Sequence, residues 1–139
     1  MTREQRRHKR YSIKGLKSRL CTSRFFGLLV KPTSEEYICL DISESGLQFI
    51  TKKLLTQNKL LLDVTTPFSR DKPIRIKCRV AWFELSLEFD IYMIGVEFVS
   101  LGKAQRDKLK MLIEKIGEDK DQIPQRVRVQ IIKRATDRL

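Results

Sequence analysis

Histidine is almost missing from this 139-residue chain; His8 is the only one. A single imidazole supplies no separate acid and base beside a nucleophile, and the carboxylates show no paired spacing, so the chain reads as non-enzymatic. Neither a Walker loop nor a GxGxxG is present. Cysteine is scarce and odd in number. Cys21, Cys39 and Cys78 are far apart, with no CxxC and no His/Cys cluster. That excludes a structural zinc site and points to reduced, partly buried thiols in a cytoplasmic protein. No apolar run approaches the ~20 residues that span a membrane. The first twenty residues are basic and have no apolar stretch of the secretory kind, so no signal peptide and no membrane insertion are expected.

What is present is a core's worth of apolar residues and an uneven charge. The hydrophobic fraction is 41%, with seven Phe and one Trp, which suits one domain. The net charge of +12 sits at the ends. Residues 1–24 hold nine Lys/Arg and one acid, residues 124–139 hold five and one, and the segment between holds fifteen of each sign. A neutral body with two basic ends calls for an anionic partner that meets the ends.

Along the chain, residues 1–14 are polar, basic and without hydrophobic period, a flexible arm in expectation. Short strands are predicted over Lys17–Ser23, Glu36–Ile42, Leu47–Ile50 and Leu60–Val64, with a loop at Lys31-Pro32-Thr33-Ser34. The clearest alternation lies at 74–82, where Ile74, Ile76, Cys78, Val80 and Trp82 share one face and Arg75, Lys77 and Arg79 the other. Trp82 is thereby placed in the core. Tyr92, Ile94, Val96 and Phe98 repeat the pattern with Gly95 opposite, a position for a bend or bulge. The acidic segment Phe83–Asp90 joins the two as a hairpin.

From Leu101 the period changes to that of a helix, with Leu101, Ala104, Leu109, Leu112, Ile113 and Ile116 on one stripe and Gly117 as its stop. After Pro124, Val127, Ile131, Ala135 and Leu139 recur every four residues, predicting a second, basic helix. Val127, Val129 and Ile131 also alternate, which leaves a strand open there. Short strands at this spacing favour a small antiparallel barrel or sandwich with helix at the C-terminal end; the expected fold is mainly β, a barrel of the six-stranded type with a C-terminal helix and a second helical tail. Its divisions are a basic arm (1–14), the barrel with its helix (15–117) and a basic extension (118–139).

Two short patterns stand out. Asp41-Ile42-Ser43-Glu44-Ser45-Gly46 joins two predicted strands and offers a carboxylate acceptor, a hydroxyl and a glycine at spacings 1, 3 and 6. Asp and Ser also turn chains simply by bonding their own backbone. Upstream, Arg6-Arg7-His8-Lys9-Arg10 contains Arg-x-x-x-Arg at Arg6 and Arg10. Arg3 and Arg7 share that spacing, but Arg6/Arg10 stand directly at the strand entrance marked by Tyr11 and Ile13. His8 between them is read as a bystander. In this order the two patterns resemble the PilZ domain, a bacterial module that binds cyclic diguanylate (c-di-GMP). Ile94-Gly95-Val96-Glu97-Phe98 followed by a helix also resembles the end of that domain. The resemblance covers roughly residues 5–116 and has no departure at a motif position.

The resemblance implies a ligand-binding set of Arg6, Arg7, Arg10, Asp41, Ser43 and Gly46, with c-di-GMP as ligand rather than catalytic cofactor. The chemistry agrees. Arginine forks fit guanine O6/N7 or phosphate oxygens, and their planes stack on bases. A carboxylate at position 41 accepts from the guanine N1–H and amino group, an edge that adenine does not present. The expected activity is a cytoplasmic receptor whose arm orders on binding and signals to a downstream protein partner. Two rivals stand beside it: a nucleic-acid-binding module that uses the basic ends, and a related domain that binds a protein without nucleotide.

Overall fold

In the computed structural model, the structure describes residues 11, 15–24, 29–67 and 72–118. Six strands follow in order: β1 (Lys17–Arg24), β2 (Leu29–Ile42), β3 (Gly46–Thr51), β4 (Lys59–Thr65), β5 (Ile74–Ser86) and β6 (Ile91–Val99). One helix, α1 (Lys103–Glu118), closes the described chain. All neighbouring strands are antiparallel, and the sheet closes in the order β1-β2-β3-β6-β5-β4. The six-stranded barrel with its C-terminal helix is as expected, and closure decides for the barrel over the sandwich. The second helical tail lies outside the described residues, as does the arm apart from Tyr11.

The interior is filled by alternate residues from every strand. Ile42, Leu47, Phe49, Leu62, Ile76 and Ile94 are buried there, and Tyr37 stacks on Phe49 with ring centroids 4.6 Å apart. From α1, Leu109, Leu112 and Ile113 join the same cluster, whereas Ala104 is exposed. The helix starts with half of a capping box, because Gln105 Oε1 accepts from the Gly102 amide at 2.8 Å, and Gln105 Nε2 ties the same turn to β5 by donating to the Arg75 carbonyl. It runs to Glu118, one residue beyond Gly117.

Three expectations change. Lys31-Pro32-Thr33-Ser34 is strand, not loop. β2 pairs with β3 only over Ile38–Ile42, so around Pro32 its second side has no strand partner among the described residues, an edge position of the kind that tolerates proline. Trp82 is half-buried and outside both core clusters. A register shift between Val80 and Trp82 breaks the alternation of β5 and turns the indole onto Gly95 of β6, where a Cβ would overlap the ring. The bulge is thus in β5, and Gly95 is the floor that it needs. Finally, β3 is buried on both faces, because Leu40, Ile50 and Ile91 form a second apolar cluster outside the barrel. Such a strand shows no alternation of polarity.

Candidate functional site

The site is built on the β2–β3 connection. β2 carries a register shift between Cys39 and Asp41, so Cys39 and Ile42 both reach the core while Asp41 pairs with Gln48 on the other face. Asp41 is 1% exposed, and so is Ser43. Although a strand connection ordinarily lies open at the surface, here the carboxylate sits at the end of a ladder and is packed over. Ser43 is first a turn-maker. Its amide donates to the Gly46 carbonyl at 2.8 Å, its Oγ accepts from the Ser45 amide at 3.2 Å, and its Oγ lies 3.2 Å from the Ser45 hydroxyl. The Ser45 carbonyl in turn accepts from the Phe98 amide at 2.8 Å, which pins the loop to β6.

Gly46 is set by packing rather than by its own conformational freedom. Its backbone is not in the left-handed region; among the described glycines only Gly15 has a positive φ. A Cβ at Gly46 would overlap the Val96 carbonyl oxygen and stand 3.2 Å from that carbonyl's carbon. The glycine is required because β3 and β6 approach too closely for any side chain, irrespective of ligand.

The arm arrives at the same place. Tyr11 and Ile42 exchange two backbone hydrogen bonds of 2.8 Å each, an isolated antiparallel bridge. Arg6, Arg7 and Arg10 lie outside the described residues. Chain connectivity nevertheless makes Arg10 the residue bonded to Tyr11, and it limits Arg6 Cα to within about 18 Å of Tyr11 Cα. Ile42, the partner of Tyr11, stands between Asp41 and Ser43. The structure therefore brings Asp41, Ser43 and Gly46 together and anchors beside them the end of the segment that holds the arginines.

Register adds residues that sequence reasoning passed over. Asp41, Gln48, Gly95 and Trp82 form one cross-strand row on the outer face. It spans three inter-strand gaps, about 14 Å. The next row holds Gly46, Glu97 and Arg79, with the Arg79 guanidinium donating to Glu97 Oε2 at 2.5 Å. Only the opposite-face alternation of Gln48 against Leu47 and Phe49 could have signalled the first row, and the Leu40–Ile50 cluster obscures it.

The first row offers a carboxylate acceptor, an amide and an aromatic face, and the next row adds a guanidinium already paired with Glu97, a set suited to a base. The nearby thiols are chemically quiet: burial pushes Cys39 and Cys78 up to about 12. Among the described residues no cluster of His, Cys, Asp and Glu is placed to hold a metal, and no helix is long and apolar enough to cross a membrane.

Comparisons with known proteins agree on the fold. The PilZ domain of the E. coli protein YcgR, solved with c-di-GMP, superposes with a TM-score of 0.58 at 11% identity, over 84% of this chain and 95% of that one. The Klebsiella MrkH–c-di-GMP complex gives 0.60 at 16% identity, over 86% of this chain and 56% of that one. The Bacillus subtilis inhibitor of motility MotI/DgrA gives 0.59 at 13% identity, over 86% and 57%. The chain thus spans somewhat over half the length of the latter two. No curated protein matches it by sequence. The family model described as PilZ domain matches residues 4–115, most of the barrel and α1 together with the arginine pair and the Asp41–Gly46 turn, and the chain belongs to the PilZ domain family.

Proposed function

We propose that this protein is a non-enzymatic cytoplasmic receptor for c-di-GMP. The observation that carries this reading is the Tyr11–Ile42 bridge, which joins the end of the arginine segment to the residue between Asp41 and Ser43. Arg6, Arg7 and Arg10 supply forks for the phosphodiesters and guanine O6/N7. Asp41 accepts from a guanine Watson–Crick edge, Ser43 holds the turn and offers its hydroxyl, and Gly46 keeps β3 tight against β6. Solved relatives described as complexes with c-di-GMP support the ligand class. Binding orders residues 1–10 over this face, and a downstream partner reads the new surface. The loss of arm freedom is offset by charge-assisted contacts.

The test is calorimetric titration of the whole chain with c-di-GMP, against cyclic diadenylate and duplex DNA. Saturable binding of the guanine ligand alone is expected. Equal affinity for both cyclic dinucleotides would remove Asp41 from base reading, and binding of DNA alone would overturn the receptor.

A second reading has one specific support: MrkH is described as a c-di-GMP-dependent transcription regulatory factor, and both ends of this chain are basic. Under it the ends grip DNA, and affinity falls by orders of magnitude between low and physiological salt because many phosphates are engaged. Binding of a single cyclic dinucleotide neutralises two phosphodiesters and weakens only modestly over that range.

A further inference from the structure

The β5–β6 hairpin projects past its barrel. β6 stays paired with β5 from Lys77↔Val99 to Ser86↔Ile91, whereas β4 follows β5 only to Lys59↔Arg79 and one bond from the Val80 amide to the Asn58 carbonyl at 2.8 Å. Beyond the register shift at Val80/Trp82, Phe83 and Leu85 lie opposite Ile94 and Tyr92, on the side of the sheet that faces the core lower down. They are nonetheless at the surface: Phe83 is 59% exposed, Leu85 45%, and Leu87 in the turn 87%. Among the described residues the other exposed large apolar side chains, Leu29, Leu54 and Met111, stand apart from one another, so the hairpin is where such surface gathers. Glu84 on the opposite face, and Glu88 and Asp90 in the turn, are exposed as well. From Val80 to Gly102 the chain has no Lys or Arg, in a protein of net charge +12. The hairpin is thus an apolar strip bordered by carboxylates, and gathered apolar surface of this kind marks interaction sites.

Charge decides what covers this strip. A second copy bound about a two-fold axis sets the same patch against itself, which brings Glu84, Glu88 and Asp90 close to the same carboxylates of the other copy. The net charge of +12 adds repulsion between the two chains. A surface of apolar side chains interleaved with Lys or Arg instead buries the strip and pairs the carboxylates at once. Ala81–Ser86 has no strand on its β4 side among the described residues, so an extended segment fits there, its side chains alternating as those of β5 do. We propose that the β5–β6 hairpin docks a protein partner through an extended segment in which apolar residues alternate with lysine or arginine. The apolar residues cover Phe83 and Leu85, and the cations meet Glu84 on the other face. Trp82, the neighbour of Phe83, stands in the outer row with Asp41, so the docked segment lies beside the ligand face. That the segment belongs to the downstream partner rests on the receptor reading; the docking itself does not.

The test is an amide chemical-shift titration of the full chain, without nucleotide, with a peptide of about eight residues alternating valine and lysine. Saturable shifts confined to 81–92 are expected, and none with a peptide that carries glutamate in place of lysine. Phe83→Ser and Glu84→Lys alter exposed side chains, so both variants should fold, and each should weaken the lysine peptide at least about threefold. Absence of saturable shifts at 81–92, equal affinity for the glutamate peptide, or unchanged affinity in both variants would overturn the proposal. So would a dimer in sedimentation that Phe83→Ser dissolves, since the strip then belongs to a second copy. A second titration with c-di-GMP separates this proposal from the receptor reading. Hairpin shifts with no nucleotide binding remove the receptor and keep the docking surface, and nucleotide binding with no hairpin shifts does the reverse.

Discussion

Replacing Gly46 by alanine separates a ligand role from an architectural one. The added methyl meets the Val96 carbonyl oxygen of β6, a backbone atom that no rotamer change can move aside. Relief requires β3 and β6 to part at Gly46↔Glu97, next to the Phe98 amide–Ser45 carbonyl bond of 2.8 Å. Overpacking of this kind costs about 1–3 kcal/mol, and weakening of one or two backbone bonds adds about 1 kcal/mol. The expected loss is about 2–4 kcal/mol. For a chain of this length, one kcal/mol shifts Tm by about 3–4 °C, so Tm should fall by about 7–14 °C. The assay is thermal and urea unfolding without ligand. Gly102→Ala is the control: a Cβ there would meet only Gln105 Oε1, at an ordinary 3.6 Å, and should change stability by less than about 0.5 kcal/mol. If Gly46→Ala unfolds like the wild type and loses only nucleotide affinity, the glycine serves the ligand and the packing argument is refuted.

Asp41→Asn keeps the volume at a buried position but turns half of the acceptor into a donor, and c-di-GMP affinity should fall by about 1–3 kcal/mol, about five- to 150-fold, in calorimetry. Asp41→Ala should lower ligand-free stability as well, by about 1–3 kcal/mol, because the residue is packed over rather than at a surface turn; an unchanged Tm counts against that burial. Arg6→Ala and Arg10→Ala should each remove most binding and Arg3→Ala little, and the reverse ranking would shift the arginine register by three residues. Alkaline pH should also destabilise the protein. Cys39 and Cys78 stay protonated when folded to about pH 12, against 9.0 for the free thiol. Between those values the folded state therefore binds more protons and stability falls as pH rises, by at most about 1.4 kcal/mol per pH unit for each thiol. The slope of unfolding free energy over pH 9–12 should be shallower in Cys39→Ala; an identical slope contradicts the assignment.

Much of the barrel was legible because its strands are buried on one face. Ile74, Ile76 and Cys78 alternate with Arg75, Lys77 and Arg79, and the structure places the first set inside and the second outside. The alternation misleads where a bulge intervenes, as between Val80 and Trp82, since one extra residue exchanges the faces without altering composition. It is silent where both faces are covered, as in β3. Pro32 reads as a breaker from sequence and sits in a strand, because whether its missing N–H matters depends on which neighbour lies on that side.

By itself the sequence determined most of the strands, α1 and the ordered pair of patterns. Periodicity follows from local geometry, and Arg6/Arg10 before Asp41, Ser43 and Gly46 is a matter of residue type and spacing. Tertiary structure alone decided what those residues stand against. The burial of Asp41 and its pairing with Gln48 depend on a register shift. So does the indole of Trp82 lying on Gly95, and the need for glycine at 46 comes from a carbonyl fifty residues away. The bridge from Tyr11 to Ile42 is likewise a closure over thirty residues. Each is a contact between distant segments whose position is set by strand order and register, and no local pattern encodes either.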